Sequence, residues 1–166
     1  MFTVCTMLLV LAADPAPKPS DSPRKPHPLA PSLPELTEEE EKKIDAIIDK
    51  FIAADTGKLG GSECKKAMEE FRDLGPEATF SLIRGFNRSA HIDNSCPALT
   101  ISRKLTSFLR RTADVELLQF AKENIGAGVK KTKYGDIIRE LKMGCSQRIA
   151  AVKSMPNPEL RNFPKP

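Results

Sequence analysis

From Ile44 onward, apolar residues recur every three or four positions and no stretch alternates convincingly at period two, so the chain reads as helical. Thr37 can cap the first helix while Glu40 reaches back as its third-position partner, and Glu38 to Glu41 suit the positive helix end. Ile44, Ile47, Ile48, Phe51 and Ile52 form its apolar stripe. Asp55-Thr56-Gly57-Lys58-Leu59-Gly60-Gly61 breaks that helix, and Ser62 is expected to cap a second whose Cys64, Ala67, Met68 and Phe71 share a face. In Leu74-Gly75-Pro76-Glu77-Ala78, glycine is expected to end the second helix in left-handed backbone and proline to open a third, which carries Leu82, Ile83 and Phe86. After Asn94-Ser95-Cys96, Pro97 takes the first position of a fourth helix lined by Ala98, Ile101, Leu105, Phe108 and Leu109. Asp114 starts a fifth, which stops at Gly126-Ala127-Gly128. A sixth, from about Thr132 to Met155, sets Tyr134, Ile137, Ile138, Leu141, Cys145, Ile149 and Val152 on one side.

This pattern predicts an all-α domain over residues 37–155, about six helices in antiparallel pairs, arranged as a short stack of pairs or a closed bundle. Spacing favours the stack. Ser62, Pro97 and about Thr132 would open the first helices of pairs at intervals of about 35, and Pro76 and Asp114 the second helices, 38 residues apart. Around Gly75-Pro76-Glu77-Ala78 and Leu82-Ile83 the sequence resembles a HEAT-type repeat, over roughly residues 62–154. That resemblance implies an α-solenoid used as a binding scaffold, and it supplies no catalytic residue.

The first 13 residues are uncharged, apolar and end in Ala12-Ala13, which reads as an export signal, although no Lys or Arg precedes the apolar run. A spanning anchor needs about 20 apolar residues, so no transmembrane segment is expected once the signal is removed. Export to a periplasmic or extracellular location is the expectation; a hydrophobic start of a cytoplasmic chain is the alternative. Residues 14–36 hold eight of the chain's 14 prolines and are expected to be a disordered or polyproline II tether. Pro23-Arg24-Lys25-Pro26 also fits the PxxP pattern of groove ligands. Residues 156–166 are expected to be a disordered tail.

Composition adds one asymmetry. With 166 residues, 40% hydrophobic and 29% charged, the chain fits one soluble domain with polar extensions. Aromatic content of 5%, with no Trp and one Tyr, disfavours base-stacking platforms and aromatic sugar grooves. The net charge of +4 is uneven: up to residue 95 there are 12 Lys and Arg against 16 Asp and Glu, and beyond it 14 against 6. Arg103, Lys104, Arg110, Arg111, Lys130, Lys131, Arg139 and Lys142 therefore form a candidate basic surface for an anionic cell-surface polymer or an acidic protein face. The plainer reading is a solvated helix surface, and no nucleic-acid partner is expected of an exported chain.

With Cys5 in the signal, Cys64, Cys96 and Cys145 remain, and an oxidising compartment would favour one disulfide plus one buried thiol. Cys96 with Cys145 is the expected pair, closing about 49 residues for on the order of 4 kcal/mol. Cys96 at a helix start with His91 nearby is the alternative thiol-enzyme reading, and His91, Cys64, Cys96 and Cys145 contain the ligand types of zinc without its close paired spacing. Asp55-Thr56-Gly57 follows a helix rather than a strand, Asp55–Lys66 lacks the final glutamate of a calcium loop, and Asn87-Arg88-Ser89 is a formal glycosylation acceptor. No catalytic residue, metal or cofactor is assigned. A non-catalytic scaffold binding a protein partner is the expected function, with polymer binding through the basic half as the alternative.

Overall fold

Thr37 and Glu40 form the reciprocal capping box that their spacing predicts. In the computed structural model, which describes residues 24–92, 96–130 and 133–155, Glu40 N donates to Thr37 Oγ1 at 3.2 Å and Thr37 N to the Glu40 carboxylate at 3.0 Å. The first helix, α1, runs Glu38–Asp55. Gly57, at φ 75°, ends it with the paired bonds of a left-handed cap, Gly57 N to Ala54 O at 3.0 Å and Lys58 N to Ala53 O at 2.8 Å.

Helix α2 (Gly61–Asp73) is capped two residues earlier than expected, by extended Gly60 rather than Ser62, and the Gly60 carbonyl accepts from Cys64 N at 3.4 Å. Gly75 is extended at φ −89° and ψ −175°, not left-handed, and Leu74 ends α2 instead. A Cβ at Gly75 would strike the carboxylate of Glu77, which folds back to accept from Gly75 N at 3.2 Å. Pro76–Ala78 forms a 3-10 turn leading into α3 (Thr79–Ser89); α4 (Pro97–Arg111), α5 (Val115–Asn124) and α6 (Gly135–Ser154) follow.

The fold is all-α, with six helices in consecutive hairpins among the described residues: α1 packs on α2, α3 on α4 and α5 on α6. The hairpins stack through α1 on α3, α4 on α6 and α3 on α5. The pairing is thus shifted by one helix from the expected frame, which joined α2 to α3 and α4 to α5. Left-handed Gly57 and Gly126 help reverse the chain within hairpins, whereas the extended Gly75 carries it from one hairpin to the next.

Ile48, Phe51, Leu82, Phe86, Ile101, Leu105 and Leu118 fill a continuous core, and the rings of Phe51 and Phe71 stack at 3.8 Å between α1 and α2. Polar side chains fix one hairpin against the next. Arg84 pairs with Asp45 at 2.9 Å and Arg88 with Asp49 at 2.7 Å, two rungs one helical turn apart between α3 and α1. Asn87 donates to Asn124 O at 2.8 Å and accepts from Gly126 N at 2.7 Å, so one side chain closes the end of α5. With its amide engaged and Ser89 buried, the Asn87 acceptor sequence is not presented for glycosylation.

The proline-rich segment departs from the expected tether. Its described part contains an antiparallel hairpin, β1 (Pro26–His27) with β2 (Ala30–Pro34), pairing Pro26 with Pro34 and His27 with Ala30. Proline is tolerated in so small an edge ladder because few N–H groups are required of it. Tertiary contacts hold the hairpin down: Ala30 is fully buried, His27 stacks on Phe80 at 4.3 Å, Arg24 pairs with Glu40 at 3.0 Å, and Ser32 donates through both N and Oγ to the Asp114 carboxylate. The candidate signal (1–13), the tether before residue 24 and the tail (156–166) lie outside the described residues, as do Lys131 and Thr132.

Replacing Asn87 with alanine strands the Asn124 carbonyl and the Gly126 amide. Asn87→Ala is expected to lower stability by roughly 1–3 kcal/mol, read from urea midpoints, and an unchanged midpoint would contradict the clamp.

Candidate functional site

The two cysteines expected to pair occupy opposite environments. Cys96 is exposed at the cap of α4, Cys145 is 1% exposed in the core on α6, and both thiols, like that of Cys64, are free. The disulfide is therefore not formed: Cys145 faces inward as a small hydrophobe while Cys96, the N-cap residue of α4, is exposed. Burial pushes the Cys145 thiol up to about 11, opposite to what a reactive thiolate needs. Among the described residues, no three His, Cys, Asp or Glu side chains gather as metal ligands, so the possible zinc set is not brought together. No described helix is long and apolar enough to cross a membrane.

The basic residues split into two groups. Lys104 is drawn inward, where it lies 5.5 Å from the ring centres of Phe71 and Phe108 and donates to Arg72 O at 2.7 Å, closing the end of α2. Desolvation lowers its pKa, partly offset by Asp73 and Glu77. Arg111 donates to Ser107 Oγ, Arg139 pairs with Asp136 at 2.7 Å, and Arg148 donates to Thr112 O at 2.9 Å across the end of α4. Arg103, Arg110 and Lys130 are exposed and Lys142 is half-buried. The basic half thus divides between helix-end contacts and solvent.

A different surface stands out in its place. Leu29 at the tip of the β-hairpin, Val115, Glu116, Gln119, Phe120 and Glu123 on α5, and Ile149 and Lys153 on α6 line an open groove of about 500 Å³. Each element contributes for a local reason. Docking of the β-hairpin through Ser32 and Asp114 sets Leu29, 39% exposed, beside the start of α5. Helix α5 buries Leu117, Leu118 and Ala121, which leaves Val115 and Phe120 on a second, half-covered apolar edge. Phe120 meets Phe80 edge-on at 5.2 Å, and Gln119 donates to Glu123 at 2.6 Å. A second cavity beneath the β-hairpin, bordered by His27, Leu33 and Phe80, is about 10 Å³, the size of one water.

The sequence carried a signal for this groove in Val115-Glu-Leu-Leu-Gln-Phe-Ala, whose apolar positions exceed the single stripe that a helix needs for one core face. Leu29 gave none, because its segment read as a tether. No protein-family model, curated protein or solved structure matches the chain.

The unfolded Cys145 thiol ionises near 9.0 and the folded one near 11, so its contribution to stability is complete below pH 9 and is lost as pH rises toward 11. Wild-type stability is expected to fall more steeply over that interval than that of Cys145→Ala in urea melts. Parallel slopes for the two proteins would show that Cys145 titrates alike folded and unfolded.

Proposed function

We propose that this protein is an exported, non-catalytic helical scaffold that binds a protein partner through the groove on α5 and α6. The observation that carries the reading is the groove itself, an open apolar depression of about 500 Å³ bordered by charged side chains from two helices and a docked β-hairpin. A surface of that kind suits partner side chains better than turnover of a small substrate, which needs an enclosed site with converging reactive groups. The stacked helical hairpins, in a frame one helix earlier than the HEAT-type resemblance implied, suit a helical-repeat scaffold that presents a rigid face. Export rests on the apolar residues 1–13 alone.

A photo-crosslinking residue placed at Gln119, in the full-length protein in its own cell, is expected to give a discrete higher-mass adduct. The same residue at exposed Lys50 on α1 serves as the control. Absence of any adduct at Gln119, or an equal smear from both positions, would count against the groove as a binding face.

A further inference from the structure

The charge around the groove runs against the charge of the half of the chain that builds it. Beyond residue 95 there are 14 Lys and Arg and only 6 Asp and Glu. Two of those six acids, Glu116 and Glu123, line the groove, and a third, Asp114, anchors the β-hairpin at its end. Lys153 is the single basic residue in the lining. Glu116 and Glu123 stand exposed on α5 seven positions apart, which places them on one side of the helix about 10 Å from each other along its axis. Gln119, between them, fixes the Glu123 carboxylate through its 2.6 Å hydrogen bond. Beside this acidic wall lie the apolar side chains of Leu29, Val115, Phe120 and Ile149.

We propose that the groove receives an amphipathic helix of a partner protein, with an apolar stripe flanked by Lys or Arg at two positions seven residues apart. This rests on the scaffold reading above and names the chemistry of its partner. The seven-residue interval in a helix is the same two turns that separate Glu116 from Glu123, so both cations meet a carboxylate in one register. A helix laid there also extends the layer of packed helices that the stack already forms. An acidic segment, or an anionic polymer, would meet like charge along the α5 wall. Lys153 favours an acidic residue where the partner helix passes α6.

The test is calorimetric titration of the full chain with two designed helical peptides that share a leucine stripe and differ only at two positions seven apart, Lys in one and Glu in the other. The Lys peptide is expected to bind at least tenfold more tightly at low salt, with the difference shrinking as salt rises. In the double variant Glu116→Lys, Glu123→Lys the preference is expected to invert, and Phe120→Asp is expected to abolish binding of both. Equal binding of the two peptides, no binding of either, or an unaltered preference in the charge-reversed variant would overturn the proposal. Self-association of the wild type that Phe120→Asp removes would assign the groove to a second copy. Binding that emerges only after deletion of residues 156–166 would assign it to that segment. Either result overturns a partner helix, and Gln119 adducts formed alongside a failed titration would leave the scaffold reading standing with a partner of other chemistry.

Discussion

Ile48 lies directly against the backbone of α3 at Gly85, and the position of the first hairpin on the second depends on that contact. A Cβ at Gly85 would collide with Ile48 Cγ2 and stand 3.9 Å from Ile101 Cδ1, so α1, α3 and α4 converge where one side chain is missing. Ile48 and Ile101 are both fully buried there. The Arg84–Asp45 and Arg88–Asp49 rungs flank the contact and fix its register. These pairs are partly exposed and are worth little individually, so apolar closeness sets the geometry and charge selects among neighbouring registers.

Farther along the stack, side chains from one helix close the C-terminal end of another. Lys104 of α4 reaches Arg72 O, Arg148 of α6 reaches Thr112 O, and Asn87 of α3 reaches Asn124 O. The last carbonyls of a helix have no partner within it, and a cation there also favours the negative end of the helix dipole. Residues that look like a basic surface in the sequence are thereby partly consumed as structural joints. Neighbouring helical hairpins are joined by these contacts as well as by shared core, and the Ser32–Asp114 bonds tie the β-hairpin to the start of α5 beside the groove.

Much of the fold was legible where the physics is local. The Thr37–Glu40 capping box, the glycine stop at Gly57, Pro97 at the start of α4 and the apolar stripes of α1 and α4 are set by residues within a few positions of each other, and the structure has each of them. What the sequence hid depended on distant partners. Gly75 is defined by Glu77 folding back on it, and the hairpin frame follows from the backbone at Gly57, Gly75 and Gly126 together. Residues 26–34 form a ladder because Phe80 and Asp114 receive them, and neither could be read from a proline-rich stretch. The same holds for the site: α5 showed a surplus of apolar positions, but the Leu29 border of the groove comes from a β-hairpin that docks onto Asp114 through Ser32, 82 residues away.

The groove is only as well formed as the stack beneath it, and the stack rests on the approach of Ile48 to Gly85. The most direct measurement is the stability of Gly85→Ala by urea denaturation, beside Gly144→Ala, whose Cβ would meet nothing within 4 Å on the exposed side of α6. Helix propensity alone raises stability by about 1 kcal/mol for either change. A gain of that size at Gly144 together with a net loss of roughly 1–3 kcal/mol at Gly85 is the predicted result, the loss coming from overpacking against Ile48. Equal gains at both positions would contradict the account, since α1 and α3 would then not meet as closely as the fold requires.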